Sequence, residues 1–177
     1  MTNNDFKILQ LGHPTLRELS QVVADISAPE TQSFLEHLLD FVIAKNGMGI
    51  AAPQVGCSKR IFIMSSRPNS RYPYAPIMEP TIVINPDIIH CSEDTEKDWE
   101  GCLSIPGIRA LVPRFKSIKV RFTNQFGETT KADYSGFIAR IFQHEYDHLN
   151  GTVFLDRVED SHDIMMEQEW FKMISNS

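Results

Sequence analysis

Apolar residues recur at helical spacing after Ser27, at Phe34, Leu35, Leu38, Phe41 and Val42. That spacing lays one apolar stripe along a helix and predicts an amphipathic helix over 28–45. Ser27-Ala28-Pro29-Glu30 has the form of a capping box, with Pro29 tolerated in the first turn, and Asn46-Gly47 supplies a stop. His37 on this helix reads as a surface side chain. The period then changes. Segments 60–64 and 81–85 are β-branched and apolar, and 117–124 alternates with Ile118, Val120 and Phe122 on one face. Gln125-Phe126-Gly127 turns that segment into 128–134, so the pair predicts a hairpin. Segment 67–80, with several prolines and two tyrosines, predicts an irregular loop.

A second helix is predicted over 136–149, with Ser135 as N-cap and Gly151 as its stop. The tail from Ser161 predicts a short third helix with Ile164, Met165, Trp170 and Phe171 packing inward. Mixed strands around two helices predict an α+β fold rather than a doubly wound sheet.

At 177 residues the chain has the size of one domain, and a single domain over 1–177 is expected. Lys and Arg number 17 against 23 Asp and Glu, a net charge of -6. This balance argues against broad nucleic-acid or anionic-membrane binding, which rest on accumulated cations. Cys57, Cys91 and Cys102 are odd in number and lack paired spacing, so free thiols and a reducing compartment are expected. The polar start, residues 1–5, carries no secretory pattern, and no apolar stretch approaches the roughly 20 residues that span a bilayer. A cytoplasmic protein without a membrane partner is expected.

Chemistry concentrates in the second helix, at His144-Glu145-Tyr146-Asp147-His148. Two histidines at i and i+4 share a face and can reach one metal ion. Glu145, beside them, is placed to act on water at the metal rather than to bind it. Phe137 and Ile141 lie on the histidine face, which sets the metal against the core.

The third ligand decides the enzyme class. One metalloprotease pattern continues through a glycine to a third histidine; Gly151 fits, but Phe154 stands where that histidine belongs. Glu167 or Glu169 could serve a peptidase-like site by spacing, but both read as surface residues. Cys102, in Glu100-Gly101-Cys102-Leu103-Ser104, is the better candidate, at an exposed strand end after a glycine that permits close approach. A lone cysteine is more often a small buried hydrophobe, the reading kept for Cys57 and Cys91.

Three segments stand together in order: Gly47-Met48-Gly49-Ile50-Ala51-Ala52-Pro53-Gln54, Glu100-Gly101-Cys102-Leu103-Ser104, and Gln143-His144-Glu145-Tyr146-Asp147-His148. In order and content the chain resembles the peptide deformylase family, from Ile8 to Gly151. The resemblance implies that Cys102, His144 and His148 ligate one divalent metal, Fe(II) natively, replaceable by zinc, nickel or cobalt. It implies Glu145 as general acid and base, with Gln54 and the Leu103 N–H holding the reacting carbonyl. It also implies that Gly49 bonds the substrate main chain as an added strand, and that Arg109 lies near the substrate's downstream end.

The implied reaction removes the formyl group from the N-terminal formylmethionine of nascent peptides, releasing formate as an early step of protein maturation. The ribosome or its emerging chain is the implied partner, although the acidic tail is a poor docking element for it. Gly47, Met48, Gly49, Ile50, Leu103, Ile141 and His144 are expected to wall the methionine pocket. Ile50 replaces a usual Leu, and Arg140 stands where an apolar residue is common, expected to snorkel to solvent and line the pocket with its methylenes. Glu100 and Asp147 are candidates to orient the histidines, or to join a salt bridge with Arg114. A zinc peptidase indifferent to Cys102 and a non-catalytic binding scaffold are the rival readings.

Overall fold

The period-two patterns resolve into two antiparallel sheets gripping the second helix, in a computed structural model that describes residues 6–175. The polar start read above, residues 1–5, lies outside the described residues, as do 176–177. In chain order the elements are α1 (Pro29–Ala44), β1 (Gly49–Ala51), β2 (Ile61–Ser66), β3 (Met78–Cys91), β4 (Thr95–Cys102) and β5 (Ile105–Phe115). They continue with β6 (Ser117–Thr123), β7 (Thr129–Ser135), α2 (Gly136–Leu149), β8 (Ile164–Met166) and α3 (Glu167–Ser175). One sheet runs β1-β2-β3-β6-β7 and the other β4-β5-β8. The arrangement is α+β, as the pattern predicts.

Side-chain alternation explains why β2 is apolar throughout. Phe62 and Met64 face α2, where Phe62 meets Phe142 edge-on with ring centroids 5.1 Å apart. Ile61 and Ile63 face the other way, into a second core with Leu35, Leu38 and Val42 of α1. A strand covered on both faces reads as a continuous apolar run. The six-residue strand is accordingly buried at every position.

Three expectations are corrected, and one hairpin is new. Ser27 does not cap α1: Ala28 is the N-cap, and Asp25 Oδ1 instead accepts from the Ser27 and Ala28 N–H groups, an Asx turn that leads the chain in. Strand 81–85 is the middle of the longer β3, whose pairing with β6 reaches Cys91 through two register shifts. The β4–β5 hairpin was not predicted, because its exposed residues 95–98 break the apolar pattern. The tail is a strand followed by a helix, so Ile164 lies exposed on β8, while Trp170 is buried as expected. Among the described residues no helix is long and apolar enough to cross a membrane.

Candidate active site

Three elements distant in sequence converge on the inner face of α2. That helix is stapled to β5 by Gln143, whose side chain accepts from the Phe115 N–H and donates to the Phe115 carbonyl, both at 3.0 Å. The staple holds the open end of the β4–β5 hairpin, where Phe115 pairs with Thr95, while Cys102 sits at the turn end of the same hairpin. Ligand atoms of Cys102, His144 and His148 lie within 4.8 Å of one another, and Cys102 Sγ is 3.3 Å from His148 Nε2. Among the described residues this is the one cluster of three or more such side chains close enough to hold a metal.

The donor set fits a divalent cation. One sulfur and two imidazoles leave a coordination position open, the mark of a catalytic rather than a structural site. His144 Nδ1 donates to Glu100 Oε2 at 2.8 Å, which leaves Nε2 free to ligate. Burial works against a charged His144, but Cys102 and Glu100 outweigh it and hold its pKa well above the usual range. Burial, reinforced by His144 and Arg114, pushes His148 well below that range, so it stays neutral as a ligand must. A cation held among the three would take the place of the proton that His144 otherwise keeps.

Glu100 is the hub of a buried ion network. Arg114 donates to it through Nε at 2.9 Å and Nη2 at 3.0 Å, and Arg140 through Nη1 at 2.9 Å. Arg114 also donates to Asp147 at 2.6 Å, and Asp147 accepts from Arg157 at 2.7 Å. Burial alone would raise the Glu100 carboxyl, yet Arg114 and His144 hold it well below the usual carboxylate range. Both readings of Glu100 therefore apply at once: it orients a histidine and it pairs with Arg114. Asp147 does only the latter.

Glu145 projects from α2 toward β1 with only 4% of its surface exposed, and burial pushes its carboxyl up to about 7. Its neighbour Gly49 has no side chain for a plain reason: a Cβ there would collide with the Glu145 carboxyl. β1 is the edge of its sheet, so among the described residues no strand pairs with its outer side. Gln54 is clamped at both ends. Its Oε1 accepts from the Ala51 N–H at 2.9 Å, while Nε2 donates to Ser104 Oγ at 3.1 Å and lies 3.4 Å from Cys102 Sγ.

Cys102, His144, Glu145, Gln54 and Gly49 line a cleft open to solvent, with Met48, Leu103, Ile141 and Phe137 as its apolar wall. Ile50 is corrected: it is fully buried in the core against α1, because strand alternation turns it away from the cleft face that Gly49 presents. Arg140 lines the cleft but does not snorkel. Its guanidinium turns inward to Glu100, the Val112 carbonyl at 2.7 Å and the Glu96 carbonyl at 2.6 Å.

Glu167 is also corrected: it pairs with Arg109, which is 3% exposed, and is no free surface residue. Glu169 stays exposed, paired with Lys172. Arg71, Tyr72 and Trp99 join the cleft without having been singled out. The proline-rich spacing of 67–80 marks a loop but carries nothing to say which wall it covers.

A thiol and two imidazoles around one open position, with a buried carboxyl at their side, define a metal-dependent hydrolase. The comparisons with known proteins narrow that class. Residues 6–163 match the family model described as Polypeptide deformylase. The chain is 48% identical over 170 residues to Peptide deformylase 2 of Nostoc sp., covering 96% of this chain and 95% of that protein. It is 44% identical to Peptide deformylase 2 of Shewanella oneidensis, covering 94% and 92%.

A solved structure of class I type b peptide deformylase from Acinetobacter baumannii, with Met-Ala-Ser bound, superposes with a TM-score of 0.84 at 37% identity, covering 86% of this chain and 98% of that one. A peptide deformylase from Synechococcus elongatus in complex with actinonin gives 0.79 at 32% identity, covering 92% and 84%. The chain belongs to the peptide deformylase family, metallohydrolases that remove the formyl group from the N-terminus of nascent formylmethionyl peptides.

Proposed function

We propose that Cys102, His144 and His148 hold the divalent ion, Fe(II) natively with zinc, nickel or cobalt as substitutes. The convergence of these three donors beside the buried Glu145 carries the reading. Bound there, the ion supplies Lewis acidity and eases deprotonation of the attacking water. The chain's own residues do the rest. Glu145 accepts the proton of that water and later delivers it to the leaving amine, a task suited to a carboxyl whose pKa burial has raised toward neutrality. Gln54 Nε2 and the Leu103 N–H donate to the oxygen on which charge develops, each such donor being worth about 3–4 kcal/mol.

Gly49, on the open edge of its sheet, bonds the peptide main chain as an added strand. Met48, Leu103 and Ile141 receive the methionine side chain, while Arg140 serves that wall through its pairing with Glu100. Arg109 faces the downstream part of the peptide. The whole of 1–177 acts as one catalytic domain in the cytoplasm, on chains emerging from the ribosome.

The test is formate release from formyl-Met-Ala-Ser, with protein purified anaerobically with Fe(II) and Cys102→Ala as control. Release by the native protein, lost together with metal in the control, bears the reading out. Release indifferent to the control revives a site built without Cys102.

A further inference from the structure

The tail beyond residue 163, where the match to the family model ends, packs on Arg109, a residue that lines the cleft. β8 pairs with β5 at Arg109 itself, with Met165 as its partner, so α3 starts with Glu167 beside the guanidinium. Glu167 Oε1 accepts from Arg109 Nε at 3.0 Å and also from Nη2. Nη1 donates to the Tyr72 hydroxyl at 2.9 Å. The Trp170 ring covers the guanidinium at 4.9 Å from its centroid and Tyr72 at 5.8 Å. A Cβ on Gly101, next to Cys102, would collide with the same guanidinium. Arg109 is therefore a cation fixed on the cleft wall by two rings, with one carboxylate to balance it.

We propose that Glu167 is a specificity-determining residue, which neutralises and orients Arg109 so that the cleft accepts peptides whatever the charge of their third residue. The inference rests on the reading of the cleft as the peptide site. With Glu167 uncharged, the rings still hold the guanidinium, and a carboxylate on the bound peptide becomes its available partner. An acidic third residue is then favoured and a basic one disfavoured.

The experiment compares formyl-Met-Ala-Glu, formyl-Met-Ala-Ser and formyl-Met-Ala-Lys amides in formate release by the full, metal-loaded chain. Calorimetric binding of the corresponding unformylated peptides runs alongside. Wild type is expected to bind the Glu and Lys peptides within roughly threefold of each other, and Glu167→Gln to shift that ratio about tenfold toward Glu, through KM rather than kcat. Glu167→Ala, which removes the bulk as well as the charge, shifts it the same way, and Glu167→Asp restores the wild-type ratio.

Unchanged ratios in the Gln and Ala variants overturn the proposal. So does an equal loss for all three peptides, the result of a tail that only packs. The shifted binding ratios without formate release from any chain overturn the catalytic reading instead and leave Glu167's role standing.

Discussion

His144 Nδ1 and Glu100 Oε2 are 2.8 Å apart, and that bond ties the candidate metal centre to a buried ion network. Glu100 comes from β4, two residues before Cys102, and its other partners are Arg114 on β5 and Arg140 on α2. One carboxylate thereby bonds the ring of His144, the hairpin that carries Cys102, and the helix that carries both candidate histidines.

Glu100→Gln should therefore cost both stability and metal. It leaves the Arg114 charge under-compensated in the interior, and breaking such a pair typically costs about 3–5 kcal/mol. It also loosens His144, and losing a ligand's supporting carboxylate costs roughly 10–100-fold in metal affinity. Denaturant unfolding and metal titration read the two effects separately; a variant that melts like wild type and holds metal as tightly contradicts the network's role.

Glu145→Ala should keep the metal and lose turnover. The side chain is outside the three-donor cluster, and positioned acid–base catalysis contributes about 10²–10⁴ in rate. Metal analysis alongside formate release decides it, and a fully metallated variant with near-normal kcat assigns the proton transfers elsewhere.

Ile50→Val should affect stability alone. The side chain is fully buried against α1, where loss of one methylene costs about 0.5–1.5 kcal/mol. A changed KM for formylmethionyl peptides at unchanged stability would return Ile50 to the pocket wall.

The Arg17–Asp156 pair gives a pH test. Burial raises the Asp156 carboxyl, but bonds from Arg17 and the Val153 N–H outweigh it, and its pKa falls below the usual value. A pKa lower in the folded than in the unfolded chain stabilises above the ordinary Asp value of about 3.9 and is lost as pH falls through the lower, folded value. With side chains 44% and 38% exposed, the pair contributes under about 1 kcal/mol. Wild type should thus exceed Asp156→Asn in stability at pH near 6, with the gap closing as pH falls through and below the ordinary Asp range. A gap that widens in acid has the wrong sign.

Local periodicity made α1, α2 and the β6–β7 hairpin legible, because each depends on residues a few positions apart. It also made His144, Glu145 and His148 legible as one helical face, since i and i+4 neighbours meet in any helix. Cys102 entered only as a candidate, strengthened by resemblance. Ile50 was misplaced because three residues of β1 are too few to reveal which face alternates inward.

What the sequence alone determined is the local chemistry: which side chains share a helix face, where strands alternate, and that the donor set is present. The tertiary structure decided the partnerships across long separations, where Cys102 meets His148, Arg114 joins Glu100 to Asp147, and Glu167 reaches Arg109. The physical reason is that a helix or hairpin closes its contacts within a few residues. An ion pair 58 residues apart in the chain, such as Arg109–Glu167, exists only once β8 has joined β5 and set the start of α3 beside Arg109.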